Sequence, residues 1–132
     1  MPVLTNEKED TATGLAASTI LVVDDQSDVL ETSAELLRML GFAVFSADSG
    51  LGALQVLRET PGIEVLLTDV VMPHMNGVTL AHLAKGLEPD IKVILVSGYA
   101  LPELHSAIDQ TEEFLFLAKP FKMADLARML RL

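Results

Sequence analysis

Residues 20–25 read Ile-Leu-Val-Val-Asp-Asp, and this stretch decides how the rest of the chain is parsed. Four consecutive aliphatic residues with no polar alternation suit a strand covered on both faces, as in a parallel sheet flanked by helices. The run stops abruptly at two carboxylates. In open sheets of this kind ligands bind beyond the carboxyl ends of the strands. The same six residues therefore predict both a fold class and a place to look for chemistry.

Outward from there, short apolar runs alternate with helical patterns. Val29, Ser33, Leu36, Leu37 and Leu40 recur at helical spacing, Asp28 offers an entry charge and Gly41 sits at the cap, so a first helix is predicted with that set facing the core. Residues 42–46 read as a second strand. Residues 49–58 read as a second helix with Ala53, Leu54 and Leu57 inward, closed by Pro61-Gly62. A third strand, 65–68, ends at Asp69, and residues 77–86 form a third helix. A fourth strand, 93–96, ends at Ser97, and a fourth helix is placed from Pro102, a good first helical residue, to Ile108. Residues 114–117 make a fifth strand before Lys119-Pro120, and 123–130 a closing helix. The alternation predicts an α/β fold with a five-stranded parallel sheet in one domain over residues 19–132. Residues 1–18, rich in Thr, Ala and charged side chains, are expected to form a flexible tail.

Composition narrows the function. A chain of 132 residues, half of them apolar, has room for one ordinary core. A formal net charge of −10 opposes sequence-independent nucleic-acid binding, which needs clustered Lys and Arg. With no cysteine there is no disulfide framework, zinc–thiolate site or thiol nucleophile. The apolar runs fall well short of the ~20 residues that span a bilayer, and the start lacks a signal-peptide core. A cytoplasmic protein without membrane insertion is the expectation.

The chemically capable side chains end the strands: Asp24 and Asp25 after the first, Asp69 after the third, Ser97 after the fourth and Lys119 after the fifth. Singly, each has an ordinary explanation, as a turn carboxylate, a turn hydroxyl or a solvated lysine. Together they converge on one rim. Three gathered carboxylates repel by roughly 4 kcal/mol per close pair at an effective dielectric of ~20, so the cluster calls for a cation. Mg²⁺ suits it as a hard ion that prefers oxygen ligands. Asp69 can then act as a carboxylate nucleophile toward a phosphoryl group, with Lys119 supplying positive charge and Ser97 a hydroxyl donor.

The text ILVVDD at 20–25, LLTDVVMPHMNG at 66–77, VILVSGYA at 93–100 and LAKPF at 117–121 resembles the receiver domains of bacterial two-component response regulators. The resemblance implies a flavodoxin-like (βα)5 fold with strand order 2-1-3-4-5 and Asp69 as phosphoacceptor. It implies that Asp25 and Asp69 bind Mg²⁺ directly, that Asp24 assists through water, and that the backbone carbonyl of Val71 completes the site. Ser97 becomes the switch hydroxyl, Lys119 the phosphoryl-contacting lysine before a cis prolyl bond, and Phe116 the switch aromatic, acting by packing because it lacks a tyrosine hydroxyl.

The implied partners are a histidine kinase or histidine phosphotransfer domain and an output protein; the face of the fourth helix, fifth strand and closing helix offers a route to a homodimer. Leu30, Ala34 and Leu37 form either a docking stripe for the donor or a widening of the core. Val71 and Tyr99 occupy positions that tune water access in the family, which suggests slow self-dephosphorylation. Thr111-Glu112-Glu113 departs from the usual Gly-Ala pattern before the fifth strand. His74, His82 and His105 lack metal-ligand spacing and are expected at the surface. The LLTDVVMP and VSGYA phrasing is similar to receivers attached to hybrid sensor kinases. Two other readings compete: an aspartyl-nucleophile phosphohydrolase would need an acid at Gln26 and a cap domain, and a pseudo-receiver that only binds proteins usually lacks the acceptor or the lysine.

Overall fold

The computed structural model describes residues 18–98 and 114–131. The expected tail up to residue 17, the fourth helix, Tyr99, His105 and residues 111–113 lie outside the described residues. The strands are β1 (Thr19–Val23), β2 (Ala43–Ala47), β3 (Val65–Asp69), β4 (Lys92–Ser97) and β5 (Phe114–Ala118). The described helices are α1 (Ser27–Met39), α2 (Gly50–Glu59), α3 (Gly77–Leu87) and α4 (Met123–Leu130). The strands form one sheet of order β2-β1-β3-β4-β5 in which every neighbouring pair is parallel. This is the expected topology.

The unbroken aliphatic runs follow from burial on two faces. Leu21, Val23, Leu66, Val93 and Leu95 point to a core shared with α2 and α3, where Ala53, Leu54, Leu57, Leu80, Ala81 and Ala84 are also buried. Their neighbours Ile20, Val22, Val65, Leu67, Ile94 and Val96 point to the opposite core, with Leu30 and Leu37 of α1 and Leu126 and Leu130 of α4. Successive strand residues thus feed alternate layers, and no polar side chain can interrupt the central strands cheaply. Each large aliphatic buried this way contributes about 1.5–3 kcal/mol of transfer free energy. The polar exception inside β3 is Thr68, fully buried, whose hydroxyl donates to the Asp69 carbonyl at 3.0 Å.

The first helix differs from its sequence reading. Leu30, Ala34 and Leu37 form the buried stripe, whereas Leu36 and Leu40 are exposed and Val29 and Ser33 only half-buried. Both sets have helical periodicity and Leu37 belongs to both, so spacing alone could not choose the phase; the sheet beneath did. Leu30 and Ala34 therefore belong to the core rather than to a docking surface. The predicted boundary held: Gly41 adopts φ 101° and its N–H donates to the Arg38 carbonyl at 3.0 Å.

The sheet hydrogen bonding continues past the strand ends and fixes the carboxyl rim. Asp24 N–H donates to the Ala47 carbonyl at 3.3 Å, Val70 N–H to Val96 at 2.9 Å and Lys119 N–H to Ser97 at 2.8 Å. The main chain at Asp24 and Lys119, and at Val70 next to Asp69, is therefore held by a neighbouring strand.

Candidate functional site: an acidic rim at the strand ends

Asp24 and Asp25 follow β1, Asp69 closes β3, Ser97 closes β4 and Lys119 follows β5. One carboxylate oxygen from each of Asp24, Asp25 and Asp69 can be chosen so that all three lie within 4.8 Å of one another. Lys119 Nζ sits 3.4 Å from Asp69 Oδ2 and 3.6 Å from Asp24 Oδ2. Asp24 is buried and its Oδ1 accepts the Gln26 N–H at 3.0 Å, while Asp25 is exposed. Asp25, Asp69 and Lys119, with Gln26, Val71 and Gly98, line an open cavity of about 470 Å³. Ser97 is buried at the same rim, and its carbonyl receives the Lys119 N–H.

One ammonium facing three carboxylates leaves the cluster negative. Burial pushes the Asp69 carboxyl above its ordinary value of 3.8; Lys119 lowers it through its charge and hydrogen bond, and the charges of Asp24 and Asp25 raise it again. Hard oxygen donors, a local excess of negative charge and an open cavity fit a divalent cation of the Mg²⁺ type, which keeps several waters and takes few protein carboxylates. Val71 lines the cavity and is half-exposed.

The loop after β3 explains how Asp69 is held. Gly77 N–H donates to the Val70 carbonyl at 2.8 Å, and α3 begins at that glycine. A Cβ on Gly77 would run into the Asp69 carbonyl oxygen and approach Val70 Cα at 3.0 Å. Close approach of backbone to backbone thus requires glycine there. Asn76 caps α3, its side-chain oxygen accepting from Thr79 N–H at 2.9 Å. His74 takes φ 69° in this loop and is exposed. The supporting role of Gly77 was missed in the sequence reading, although the Asn-Gly pair opening a helix signalled a turn there.

Other expected positions fall as follows. Phe116 is half-buried against the α2/α3-side core. The Lys119–Pro120 peptide is cis. His82 is exposed on α3, its ring edge-on to Phe114 at 5.4 Å between centroids. Beside the acidic cavity, Val29, Ser33 and Leu36 of α1 and Pro120, Phe121 and Met123 line a predominantly apolar groove of about 540 Å³, whose margin also includes Gln26 and Lys119.

The family model for the response regulator receiver domain matches residues 20–131. The sensor kinase CckA of Brucella abortus is 39% identical over 129 residues, 96% of this chain but 14% of that protein. The response regulator receiver protein CpdR of Brucella abortus is 36% identical over 107 residues, covering 81% of this chain and 88% of the relative. Among solved structures, the receiver domain of the hybrid histidine kinase CckA aligns with a TM-score of 0.72 at 32% identity, covering 86% of this chain and 96% of that one. A receiver domain from Clostridium thermocellum aligns with a TM-score of 0.80 at 29% identity, covering 86% of this chain and 91% of that one.

Proposed function

Since the chain belongs to the response regulator receiver family of two-component signalling, we propose that it acts as a switch by taking a phosphoryl group onto Asp69. The observation that carries this reading is the bridging of Asp24 and Asp69 by Lys119 beside Asp25, at the cavity that Asp25, Asp69 and Lys119 line. Asp24, Asp25, Asp69 and the Val71 carbonyl would hold Mg²⁺, which supplies charge neutralisation for the phosphoryl oxygens.

This chain's own residues account for the rest. An Asp69 carboxylate oxygen attacks phosphorus in line while the bond to the donor breaks, and the anhydride so formed is an aspartyl phosphate. Lys119, 3.4 Å from Asp69, pairs with a phosphoryl oxygen, and the Ser97 hydroxyl donates to another. Both sit on strand ends tied by the Lys119 N–H to Ser97 carbonyl bond, so a shift at one is felt at the other. Phe116, one residue inside β5 from Leu117, is the aromatic assigned to follow that shift by packing. The phosphate adds about −1.5 to −2 charge, to which these groups respond.

The donor we assign is a histidine-bearing protein, a histidine kinase or a phosphotransfer domain, docking in the groove of Val29, Ser33, Leu36, Phe121 and Met123 beside the acidic cavity. A cytoplasmic location goes with that donor. Among the described residues no helix is long and apolar enough to cross a membrane. The phosphohydrolase reading is not favoured, since a neutral Gln26 occupies its second acid position.

Incubation with acetyl phosphate and Mg²⁺ followed by intact-mass measurement tests the assignment. Wild type should gain one phosphoryl group and Asp69→Asn none. An equal gain in the variant, or none in wild type, would overturn it.

A further inference from the structure

Gln26 is the residue on which the donor groove and the acidic cavity meet. It lines both spaces, and Lys119 is the other residue that does so. Its backbone is pinned at the rim by the bond from its N–H to Asp24 Oδ1 at 3.0 Å. It occupies the N-cap of α1 with extended φ −92° and ψ 109°, yet its side chain caps nothing. Ser, Thr, Asp and Asn are the side chains that stabilise helices at this position. Ser49 and Asn76 do so for α2 and α3. Gln26 is exposed, and its carboxamide makes no hydrogen bond to a described residue. Helix stability therefore does not explain a glutamine here, and the residue stands where the proposed donor's reacting group would enter.

We propose that Gln26 is a specificity-determining residue for imidazole-bearing phosphoryl donors: its carbonyl oxygen accepts a hydrogen bond from the protonated ring nitrogen opposite the phosphorylated one. The inference rests on Asp69 being the phosphoacceptor. In the transfer, an Asp69 oxygen bonds to phosphorus as the phosphorus–nitrogen bond breaks. The electron pair returns to that ring nitrogen, the proton stays on the other, and neutral imidazole leaves. A hydrogen bond to the remaining N–H holds the ring in line with Asp69 without adding a fourth negative charge to the cluster. Acetyl phosphate, whose leaving group is a carboxylate with no N–H, gains nothing from the contact.

The test compares phosphorylation by monophosphoimidazole and by acetyl phosphate, each with Mg²⁺, in wild type, Gln26→Met and Gln26→Asn. Methionine keeps the length and removes both polar groups. Asparagine is a good N-cap whose carboxamide is drawn back onto the helix. Both variants should slow transfer from monophosphoimidazole about tenfold, as for loss of one hydrogen bond to a charged group, and transfer from acetyl phosphate less than about twofold. Gln26→Asn should at the same time raise the thermal midpoint by about 2–4 °C, so that stability and transfer move in opposite directions, which a structural role would not produce. Equal slowing with both donors, or wild-type transfer from monophosphoimidazole in Gln26→Met, would overturn the proposal. Failure of wild type to be labelled by either donor, or labelling of Asp69→Asn, would instead overturn the phosphoacceptor assignment beneath it.

Discussion

The two ends of the sheet carry polar residues in opposite states of balance. At the amino ends of the strands Thr19, Glu64 and Lys92 are matched to one another: Thr19 N–H donates to Glu64 Oε1 at 3.1 Å, Glu64 N–H to the Thr19 carbonyl at 3.0 Å and Lys92 N–H to the Glu64 carbonyl at 2.9 Å. Lys92 Nζ reaches the carbonyls of Met129 and Leu130 at 3.4 and 3.3 Å, closing the last turn of α4 with a cation where the helix dipole is negative. At the carboxyl ends three carboxylates face one ammonium, and burial raises the pKa of the central one. One lysine at each end thus does a different job. Lys92 holds a helix to the sheet, and Lys119 holds together charges that would otherwise separate.

The largest effect expected from this contrast comes from exchanging the lysines' fates. Lys119→Met should slow Asp69 phosphorylation by acetyl phosphate about a hundredfold, in the range seen when a preorganised group facing developing negative charge is removed. Lys92→Met should leave the same rate at the wild-type value. Comparable losses in the two variants would mean that the rims are not specialised as described.

Next in size is a steric change at the loaded rim. Gly77→Ala places a methyl against the Asp69 carbonyl and Val70 Cα, both backbone and unable to yield as a flexible side chain would. Overpacking of this kind costs roughly 1–3 kcal/mol, which urea titration would read as a lower midpoint at unchanged slope. Phosphorylation should slow as well, because the displaced backbone carries the acceptor. A variant as stable as wild type would show that the loop can absorb the methyl and that Asp69 is held less tightly than the geometry indicates.

These particulars show why much of the molecule was legible in sequence and some was not. The aliphatic runs of β1, β3 and β4 report burial on two faces, a property of each strand alone, and the residue following each run is read off directly. That sufficed to place Asp24, Asp25 and Asp69 at strand ends on one rim, with Lys119 after the fifth strand; the sheet order itself came from the family resemblance. The phase of α1 was not legible. Leu36 and Leu40 are as apolar as Leu30 and Leu37, and an apolar docking groove and a core produce the same text. Gly77 and Gln26 were underread for a related reason. Their roles lie in what comes close to them, the Asp69 backbone in one case and, in the other, cavities whose far walls, at Asp69, Val71, Lys119 and Phe121, are remote in sequence.

At the balanced rim, Lys92→Met removes a charged donor from two helix-terminal carbonyls of a partly exposed site. A loss of about 1–2 kcal/mol is expected, in line with hydrogen bonds to charged groups, and amide hydrogen exchange should report it as faster opening of α4 than of β1 or β3. Uniform acceleration across the sheet would show that the lysine supports global stability rather than the docking of one helix.

The last expected effect tests the sign of the imbalance. In the native state the Asp69 pKa is raised above its ordinary value of 3.8, so over the window from that value up through the raised one the folded protein binds more protons than the unfolded chain. Stability from this group is therefore fully present below 3.8 and is lost as pH rises through the native pKa. At neutral pH, without Mg²⁺, Asp69 opposes folding, and Asp69→Asn should melt at a higher temperature than wild type; below pH 3.8 the difference should vanish. Adding Mg²⁺ supplies the missing charge, and at a hundred times the dissociation constant it should stabilise wild type by about 2.7 kcal/mol through linkage, more than it stabilises Asp69→Asn. A variant less stable than wild type at neutral pH without Mg²⁺ would mean that Lys119 already outweighs burial and both neighbouring carboxylates. The carboxyl rim would then be as balanced as the amino rim, and its demand for a cation would have to come from the phosphoryl donor rather than from the protein.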